Sequence, residues 1–518
     1  MPQDAPFTVT ISRTLKDIAT EEWDRLFPPS PEGYQFFKTI EETLTRQFTF
    51  YYISIRQGSR TVCVAPCFIM DYSLETTTGG PLKTLLSWIK KALPRAFTIR
   101  VLICGSPTGE GRLGVAADAD REPLAHALVG AMESIARRER AGLLAFKDFS
   151  DDDLPMFQPL LQGGFHMMPS YPAATLDLSF RSVDAYLASL SRATRKDLKR
   201  KFKTVDGRIN LTMEVRRDLG ESLDDAYRLY LKTFEKSQAK FELVTKEFFE
   251  RISRNMPEET RYFLWYLDGR LVAFDLCLVS GTTLMDEYLG MDYAVAYDYH
   301  LYYLTFRDIL NWCLQHGIRR YATGALNYDP KKRLDFTLAP QAIYFKHRNR
   351  FMNSLLSLLS AVLKPQNFDP TLKPRRQPRT RTARGRLTIP LFVLILMADA
   401  LNALAELLFK QGAMAPGIHE ITFANFPAFA SRLVSGTGLW VGVVCYIVMF
   451  FLWMPVLSQV DLSLAFPVQS IDYLLVPLIS MAVLHERVTA LRWLGVLFIM
   501  LGVCLVSQSA ARKTRRNT

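Results

Sequence analysis

Cysteine and histidine are scarce in this chain: its 518 residues contain seven of each. No two cysteines stand in a C-x-x-C spacing. Cys63 and Cys67 fall in an alternating, strand-like pattern, so packing accounts for them better than a metal site or a disulfide framework. This points to a reduced, cytosolic soluble part, and no metal is expected. The opening stretch MPQDAPFTVTISR has no apolar core, which argues against a secretory signal there. Acids are missing from one segment altogether. Lys373–Arg386 holds seven Lys or Arg and no Asp or Glu, and Arg512–Arg516 holds four more basic residues. These clusters nearly account for the net charge of +12, so the rest of the chain is close to neutral. A basic run can bind nucleic acid, but beside a membrane span it reads better as a juxtamembrane anchor, and no nucleic-acid partner is expected.

Long apolar runs, in contrast, are present and confined to the C-terminal quarter. Ser463–Glu486 (SLAFPVQSIDYLLVPLISMAVLHE) is long enough, at about 1.5 Å per residue, to cross a hydrocarbon layer of roughly 30 Å. A single acid, Asp472, stands near its middle, where a charge must face other helices or a water-filled cavity. Three further spans are expected at Ile389–Phe409, Gly438–Leu457 and Trp493–Gln508. Basic segments stay cytoplasmic, so the two clusters place both termini inside. In the first span Asp399, Asn402, Glu406 and Lys410 recur at i, i+3, i+7 and i+11. They form one polar stripe on an apolar helix, either a structural seam or a path for a polar headgroup. The mean hydropathy of +0.05 is thus an average over a soluble and a membrane region.

The soluble region repeats itself. Its first part reads as a strand (Phe7–Ile11), helices (Ile18–Leu26, Phe36–Leu44), a hairpin (Phe48–Met70) and a strand (Thr98–Cys104). A helix (Glu122–Arg140) and a further strand (Leu143–Lys147) follow. Pro81–Leu93 reads as an amphipathic helix that either packs on the core or rests on an anionic membrane surface. The loop Gly105–Gly114 (GSPTGEGRLG) is glycine-rich, but its spacing fits neither a P-loop nor the dinucleotide fingerprint. It is read as a structural turn or a phosphate contact. From Leu176 the pattern begins again, with a helix over Val183–Lys203 and others over Leu223–Phe234 and Lys246–Arg254. A meander over Arg261–Gly290, a helix over Tyr297–Leu314 and a strand over Arg319–Thr323 complete it.

LSRATRKDLKRKF (Leu190–Phe202), LYLKTFEKS (Leu229–Ser237) and the long run Met285–Phe336, with HGIRRYATGA inside it, resemble tandem GNAT folds of the Fem-type peptidyltransferase group. The resemblance implies acyl or aminoacyl transfer. The Q/R-x-x-G-x-G/A pyrophosphate turn usual in GNAT enzymes is missing before Tyr297, which leaves the donor open between acyl-CoA and aminoacyl-tRNA. Acyl-CoA is preferred, because no soluble tRNA-binding insertion is visible. In GNAT folds the central strand lines the active site, so Asp286 and Glu287 are candidate bases. Alternation places Asp286 and Tyr288 on one face and Glu287 on the other. They are equally readable as solvated strand residues. His300, in an aromatic helix, is either a packed histidine or a further base. Tyr321 is a candidate acid for a leaving thiolate, and Lys331, Lys332 and Arg333 are candidates to hold donor phosphates. Arg195, Lys196, Lys199 and Arg200 form a cationic stripe, either solvated or facing lipid phosphates.

ALAELLFKQGA (Ala403–Ala413) and Leu439–Val506, including AFPVQSIDY and LHERV, resemble four-helix members of the drug/metabolite transporter superfamily, above all small subunits proposed to flip aminoarabinose-bearing undecaprenyl phosphate. In that superfamily's drug exporters a membrane Glu precedes the Lys by about two turns; that place is Asn402 here. Four spans are half of a typical transporter of this class, which implies a homodimer or a small partner subunit. The expected fold is therefore α+β tandem GNAT-like domains followed by an all-α four-helix transmembrane bundle. Its divisions are 1–178, 179–350, a linker 351–388, the membrane module 389–508 and a basic tail 509–518. The expected function is a bacterial inner-membrane N-acyltransferase that modifies an amino-bearing lipid or lipid-linked sugar, with a fused flippase-like module moving the product. The alternative is a transporter whose GNAT-like part only binds or regulates.

Overall fold

A computed structural model describes residues 7–73, 98–206, 209–237, 240–360, 370–372, 389–413, 436–459, 469–484 and 488–515. The expected helix Pro81–Leu93 and the basic segment Lys373–Arg386 lie outside the described residues. The chain divides into two compact units, Met1–Asn353 with Phe368–Leu372, and Ser354–Asn367 with Lys373–Thr518.

In the first unit two sheets share one plan. The first runs Phe7–Ser12, Thr49–Gln57, Arg60–Ser73, Thr98–Cys104, Leu143–Ser150, Gln341–His347, His166–Pro169, with the short strand Gly114–Val115 on Arg60–Ser73. The second runs Thr337–Ala339, Ala173–Asp177, Arg320–Thr323, Thr283–Met291, Arg270–Ser280, Thr260–Leu267, Leu211–Arg216. Each contains one parallel pair among antiparallel neighbours: Thr98–Cys104 with Leu143–Ser150, and Thr283–Met291 with Arg320–Thr323. The duplication read from the sequence is therefore present. Position 178 is not a sheet boundary, however. Ala173–Asp177 pairs into the second sheet, and Gln341–His347 pairs into the first, between Leu143–Ser150 and His166–Pro169.

Local rules explain the helices. In Lys246–Asn255, Thr245 caps the start by accepting from the Phe248 N–H at 3.1 Å, while Phe248, Phe249 and Ile252 fill the buried face. The expected single helix Val183–Lys203 is two, Val183–Ser189 and Arg192–Val205, because Ser191 leaves helical geometry and caps the second through the Thr194 N–H. Likewise the helix expected from Tyr297 starts at Leu301, since His300 takes a left-handed backbone (φ 52°) and breaks it from Tyr293–Ala296.

The two halves of the first unit are docked by side chains. Phe36 meets Phe248 edge-on at 6.3 Å, and Arg251 pairs with Glu42 at 3.1 Å. Gln47 and the Leu243 backbone bond reciprocally, with the Leu243 N–H donating to Gln47 at 3.0 Å. Phe241 settles among Phe48, Phe68 and Tyr72.

The second unit contains the helices Ile389–Ala413, Thr437–Gln459, Asp472–Leu484 and Ala490–Arg515, at the four places expected. Gly442 lets the first two approach, since a Cβ there would lie 2.5 Å from Phe409, which stacks on Tyr446 at 5.5 Å. Among the described residues no helix is long and apolar enough to cross a membrane, and several side chains of these four helices lie outside that set. Asp472 opens its helix rather than standing mid-span. A carboxylate at a helix N-terminus complements the unpaired N–H groups there.

Candidate active site

The strand Thr283–Met291 has an unusual middle. Its parallel partner runs from Thr283↔Arg320 to Asp286↔Thr323 and stops, the chain turning away through Leu326 (φ 76°) and Asn327 (φ 51°). On that side, among the described residues, the strand is left without a ladder from Glu287 onward. On the other side Leu276 pairs with Tyr288 and Cys277 with Asp286, so Glu287 is the extra residue of a β-bulge.

The bulge overturns the alternation expected for these residues. Asp286 lies on the side of the helix Leu301–Gln315, accepting a hydrogen bond from Tyr321 at 3.0 Å. Tyr288 lies on the opposite side, among Tyr230, Phe248 and Phe249. One inserted residue thus moves every later side chain to the other face.

Two groups of titratable side chains result. In the first, Asp286 adjoins Asp275, which is 1% exposed, together with Tyr321 and Lys331. Burial raises both carboxyls; the neighbouring Asp286 raises Asp275 further, while Lys331 and Tyr321 oppose the rise of Asp286. Burial lowers the Lys331 ammonium to about 8, with Asp286 opposing that fall. Burial and the neighbouring Asp286 raise Tyr321 well above the ordinary phenol.

In the second group Glu287 meets residues of the first half. Burial raises its carboxyl well above the usual range; Glu32 and Asp286 add to this and Arg112 opposes it. Its Oε1 is buried and has no hydrogen-bond partner among the described residues. Glu32, 2% exposed, pairs with Arg112 at 3.3 Å. The loop Gly105–Gly114 is built around that carboxylate: a Cβ at Gly109 would lie 1.6 Å from Glu32 Oε1, and one at Gly111 would lie 2.1 Å from the Lys147 carbonyl. Lys147 donates to the Gly109 carbonyl at 3.2 Å and pairs with Asp148. Burial brings Glu242 up to about 7, and Tyr288 hydrogen-bonds it.

Of the remaining expected residues only Lys331 joins these groups. His300 starts a helix, and burial with Lys201 and Arg200 nearby lowers its imidazole. Lys331, Lys332 and Arg333 diverge: Lys331 is buried against the Gly324 carbonyl, Lys332 reaches the Thr371 carbonyl, and Arg333 pairs with Asp329 at 3.0 Å. Along the cationic stripe Arg195 donates to the Ala188 carbonyl, Lys199 lies 3.8 Å from Asp184 and Arg200 pairs with Asp197, while Lys196 is exposed. In the second unit Asn402 donates to Glu406 at 3.2 Å and to Asp472 at 3.0 Å, Asp399 is buried and Lys410 is exposed. Sequence reading missed Glu32, Arg112, Lys147, Glu242 and Asp275. Only Arg112, inside the glycine-rich loop, carried a signal, because the others meet the site through tertiary contacts alone.

Residues 192–332 match the family described as Acetyltransferase (GNAT) domain, which makes the chain an acyltransferase of that class. Residues 412–508 match the EamA-like transporter family. A probable 4-amino-4-deoxy-L-arabinose-phosphoundecaprenol flippase subunit ArnE of Yersinia pestis (strain Pestoides F) is 30% identical over 118 residues, 22% of this chain and 95% of that protein. Its counterpart in Serratia proteamaculans (strain 568) is 31% identical over 120 residues, 22% of this chain and 94% of that protein. Through this C-terminal region the chain belongs to the ArnE flippase-subunit family, and it carries a GNAT acyltransferase ahead of it. Among solved structures, FemX is similar at TM-score 0.44 and 13% identity, covering 68% of this chain and all of FemX. A tandem GNAT protein from the clavulanic acid biosynthesis pathway is similar at TM-score 0.44 and 12% identity, covering 66% of this chain and 99% of that one.

Proposed function

We propose that the chain is a membrane-tethered N-acyltransferase that modifies an amino-bearing lipid or lipid-linked sugar at the inner leaflet of the bacterial inner membrane, and that its ArnE-like module moves the product. The observation that carries this reading is the strand Thr283–Met291: it loses its parallel partner after Asp286 and places Glu287 at the resulting gap. Unpaired backbone groups there can hold the carbonyl of an acyl donor, acyl-CoA in this reading. The amine nitrogen attacks the thioester carbonyl carbon, the C–N bond forms, and the C–S bond breaks. Glu287, whose carboxyl is raised above the usual range by burial, takes the proton from nitrogen. The departing thiolate takes a proton from solvent, because Tyr321 is 2% exposed and committed to Asp286. Asp286, Tyr321 and Lys331 position the strand.

Among the described residues the first half shows no such gap. Its parallel pair ends where the strand itself ends, at Cys104. The relatives' description as flippase subunits for an amino-sugar phosphoundecaprenol supports an amino-bearing, lipid-linked cargo for the module, working as a homodimer or with a small partner subunit. The test is purified full-length protein mixed with acyl-CoA and inner-membrane lipid extract. An amide-linked lipid should form, and Glu287→Gln should lower its rate at least roughly tenfold, as expected for loss of a general base. Unaltered turnover in Glu287→Gln would move the base elsewhere.

A further inference from the structure

The face of the second sheet that carries the helix Leu301–Gln315 is apolar along most of its length. Phe263 and Trp265 are buried there, Trp312 meets Phe263 edge-on at 5.5 Å, and Val215 and Val279 pack beside them. Near the end of the helix the residues in step with this face change character. Arg261 precedes Phe263 by two residues, Arg217 follows Val215 by two, and Gly281 follows Val279 by two. The helix stops at Gln315, and a Cβ at Gly281 would meet nothing within 4 Å. The result is a surface cavity of about 440 Å³, with Arg216, Arg217, Arg261, Trp312 and His316 among its walls. It shares no residue with the two titratable groups beside the bulged strand.

The charge in this cavity is of one sign. Among the described residues no Asp or Glu lines it. Arg216 and Arg217 are each held by a carboxylate outside the lining, Glu214 and Glu258, the latter at 2.7 Å. Arg261 instead donates through Nη1 to the carbonyls of Glu258 and Thr260, at 2.9 and 2.7 Å. Carbonyls occupy its N–H groups without neutralising its charge. Burial and the neighbouring Arg217 accordingly lower this guanidinium, against the pull of Glu258 and Glu259. The His316 ring stacks on Trp312 at 4.0 Å and bonds the Trp312 carbonyl through Nδ1 at 2.8 Å, which holds the aromatic wall in place.

The chemistry of a fitting ligand can be narrowed. Each guanidinium has five N–H donors, so one carboxylate or two carbonyls leave donors to spare. Guanidinium forks take phosphoryl oxygens in pairs. A phosphomonoester carries about −1.5 to −2 charge near neutral pH and three acceptor oxygens, a closer match to three guanidinium groups than a carboxylate with its two. The cavity is also roomier than a bare phosphate needs, and Val215, Val279 and Trp312 give it an apolar wall for the esterified group.

We propose that this cavity is a second ligand site, which takes a phosphomonoester bearing an apolar substituent, either a soluble compound or the headgroup of an anionic lipid. Arg261 supplies the charge that no carboxylate offsets, Arg216 and Arg217 flank it, and Trp312 meets the substituent. The acyl-transfer reading neither requires this site nor depends on it.

The test titrates the full chain, in an uncharged detergent at about pH 7.5 and roughly 0.15 M salt, by isothermal calorimetry. Phenyl phosphate stands for a soluble ester and dihexanoyl phosphatidic acid for a lipid headgroup; phenol and dihexanoylglycerol are their neutral counterparts. At least one phosphate should bind about tenfold or more tightly than its counterpart, and whichever does so assigns the source. Arg261→Gln should weaken that phosphate at least about tenfold, with thermal melting used to confirm a folded variant. If Arg261→Gln does not fold, Arg217→Gln, at an exposed side chain, is the deciding variant and should weaken binding severalfold. Equal binding of both phosphates and their neutral counterparts overturns the proposal, and so does a phosphate preference that survives unchanged in the deciding variant, which would place the anion elsewhere on the chain.

Discussion

Tyr321 reaches along the sheet to Asp286: its backbone lies opposite Leu284, and its hydroxyl meets the Asp286 carboxylate two residues further on, at 3.0 Å. A bond so placed fixes the strand just where its parallel neighbour ends. Tyr321→Phe should cost about 1–3 kcal/mol of stability, read by denaturant unfolding, because a half-buried carboxyl loses a donor. The ascending limb of the kcat/KM–pH profile should stay in place if Glu287 is the base. Movement of that limb to higher pH would instead assign the base to Asp286.

Glu242 carries a pH signature of its own. Its folded pKa of about 7 exceeds the ordinary carboxyl value near 4.3, so folding favours its protonated form. Its unfavourable contribution is absent below the unfolded value, grows as pH rises between the two, and is complete above about 7. Relative to the parent protein, Glu242→Gln should melt higher at pH 8 and alike at pH 4. Equal offsets at both pH values would mean that Glu242 is not desolvated in solution.

Gly109 combines a φ of +73° with the Glu32 carboxylate against its open side. Gly109→Ala should therefore destabilise the first unit by more than about 1 kcal/mol, and Gly58→Ala, also at positive φ but with open space around it, should cost less. Chemical denaturation of the two variants in parallel gives the comparison.

In the module, Asn402 joins Glu406 to Asp472. Asp472→Asn and Glu406→Gln should leave acyl transfer in detergent intact and lower delivery of modified lipid to the outer leaflet, so that product accumulates on the cytoplasmic side. Normal export in both variants would reduce the module to an anchor, and loss of transfer would make it part of the acceptor site.

Cysteine reporters at Thr382 and Thr518 should resist impermeant thiol reagents in intact cells, and one at Ile418 should react, as the basic clusters require. Labelling of either of the first two from outside overturns the orientation.

Much of the soluble fold was legible because period and capping agree locally. Leu223–Lys236 shows its buried face as Ala226, Leu229 and Tyr230, with acids in its first turn. The bulge at Glu287 was not legible: MDEYLGM reads as plain alternation, and only pairing with Leu276 and Cys277 shows the extra residue. The breaks at Ser191 and His300 were half visible, since serine is a common cap while a left-handed histidine has no sequence signature. Glu32, more than two hundred residues from Glu287, could be connected to it only by the folded chain.

The exchange of Ala173–Asp177 and Gln341–His347 between sheets also sets a timetable for synthesis. The first sheet waits for a strand that emerges about two hundred residues after the neighbour it joins, roughly 10 to 40 s later at ordinary elongation rates. Until then Leu143–Ser150 has no partner on that side, and a nascent chain cut at residue 178 would leave an incomplete sheet. The catalytic unit can close only once residue 347 has left the ribosome, a few dozen residues before the first apolar helix, beginning at Ile389, does so. Folding of the enzyme and delivery to the membrane are thereby compressed into one short interval of translation.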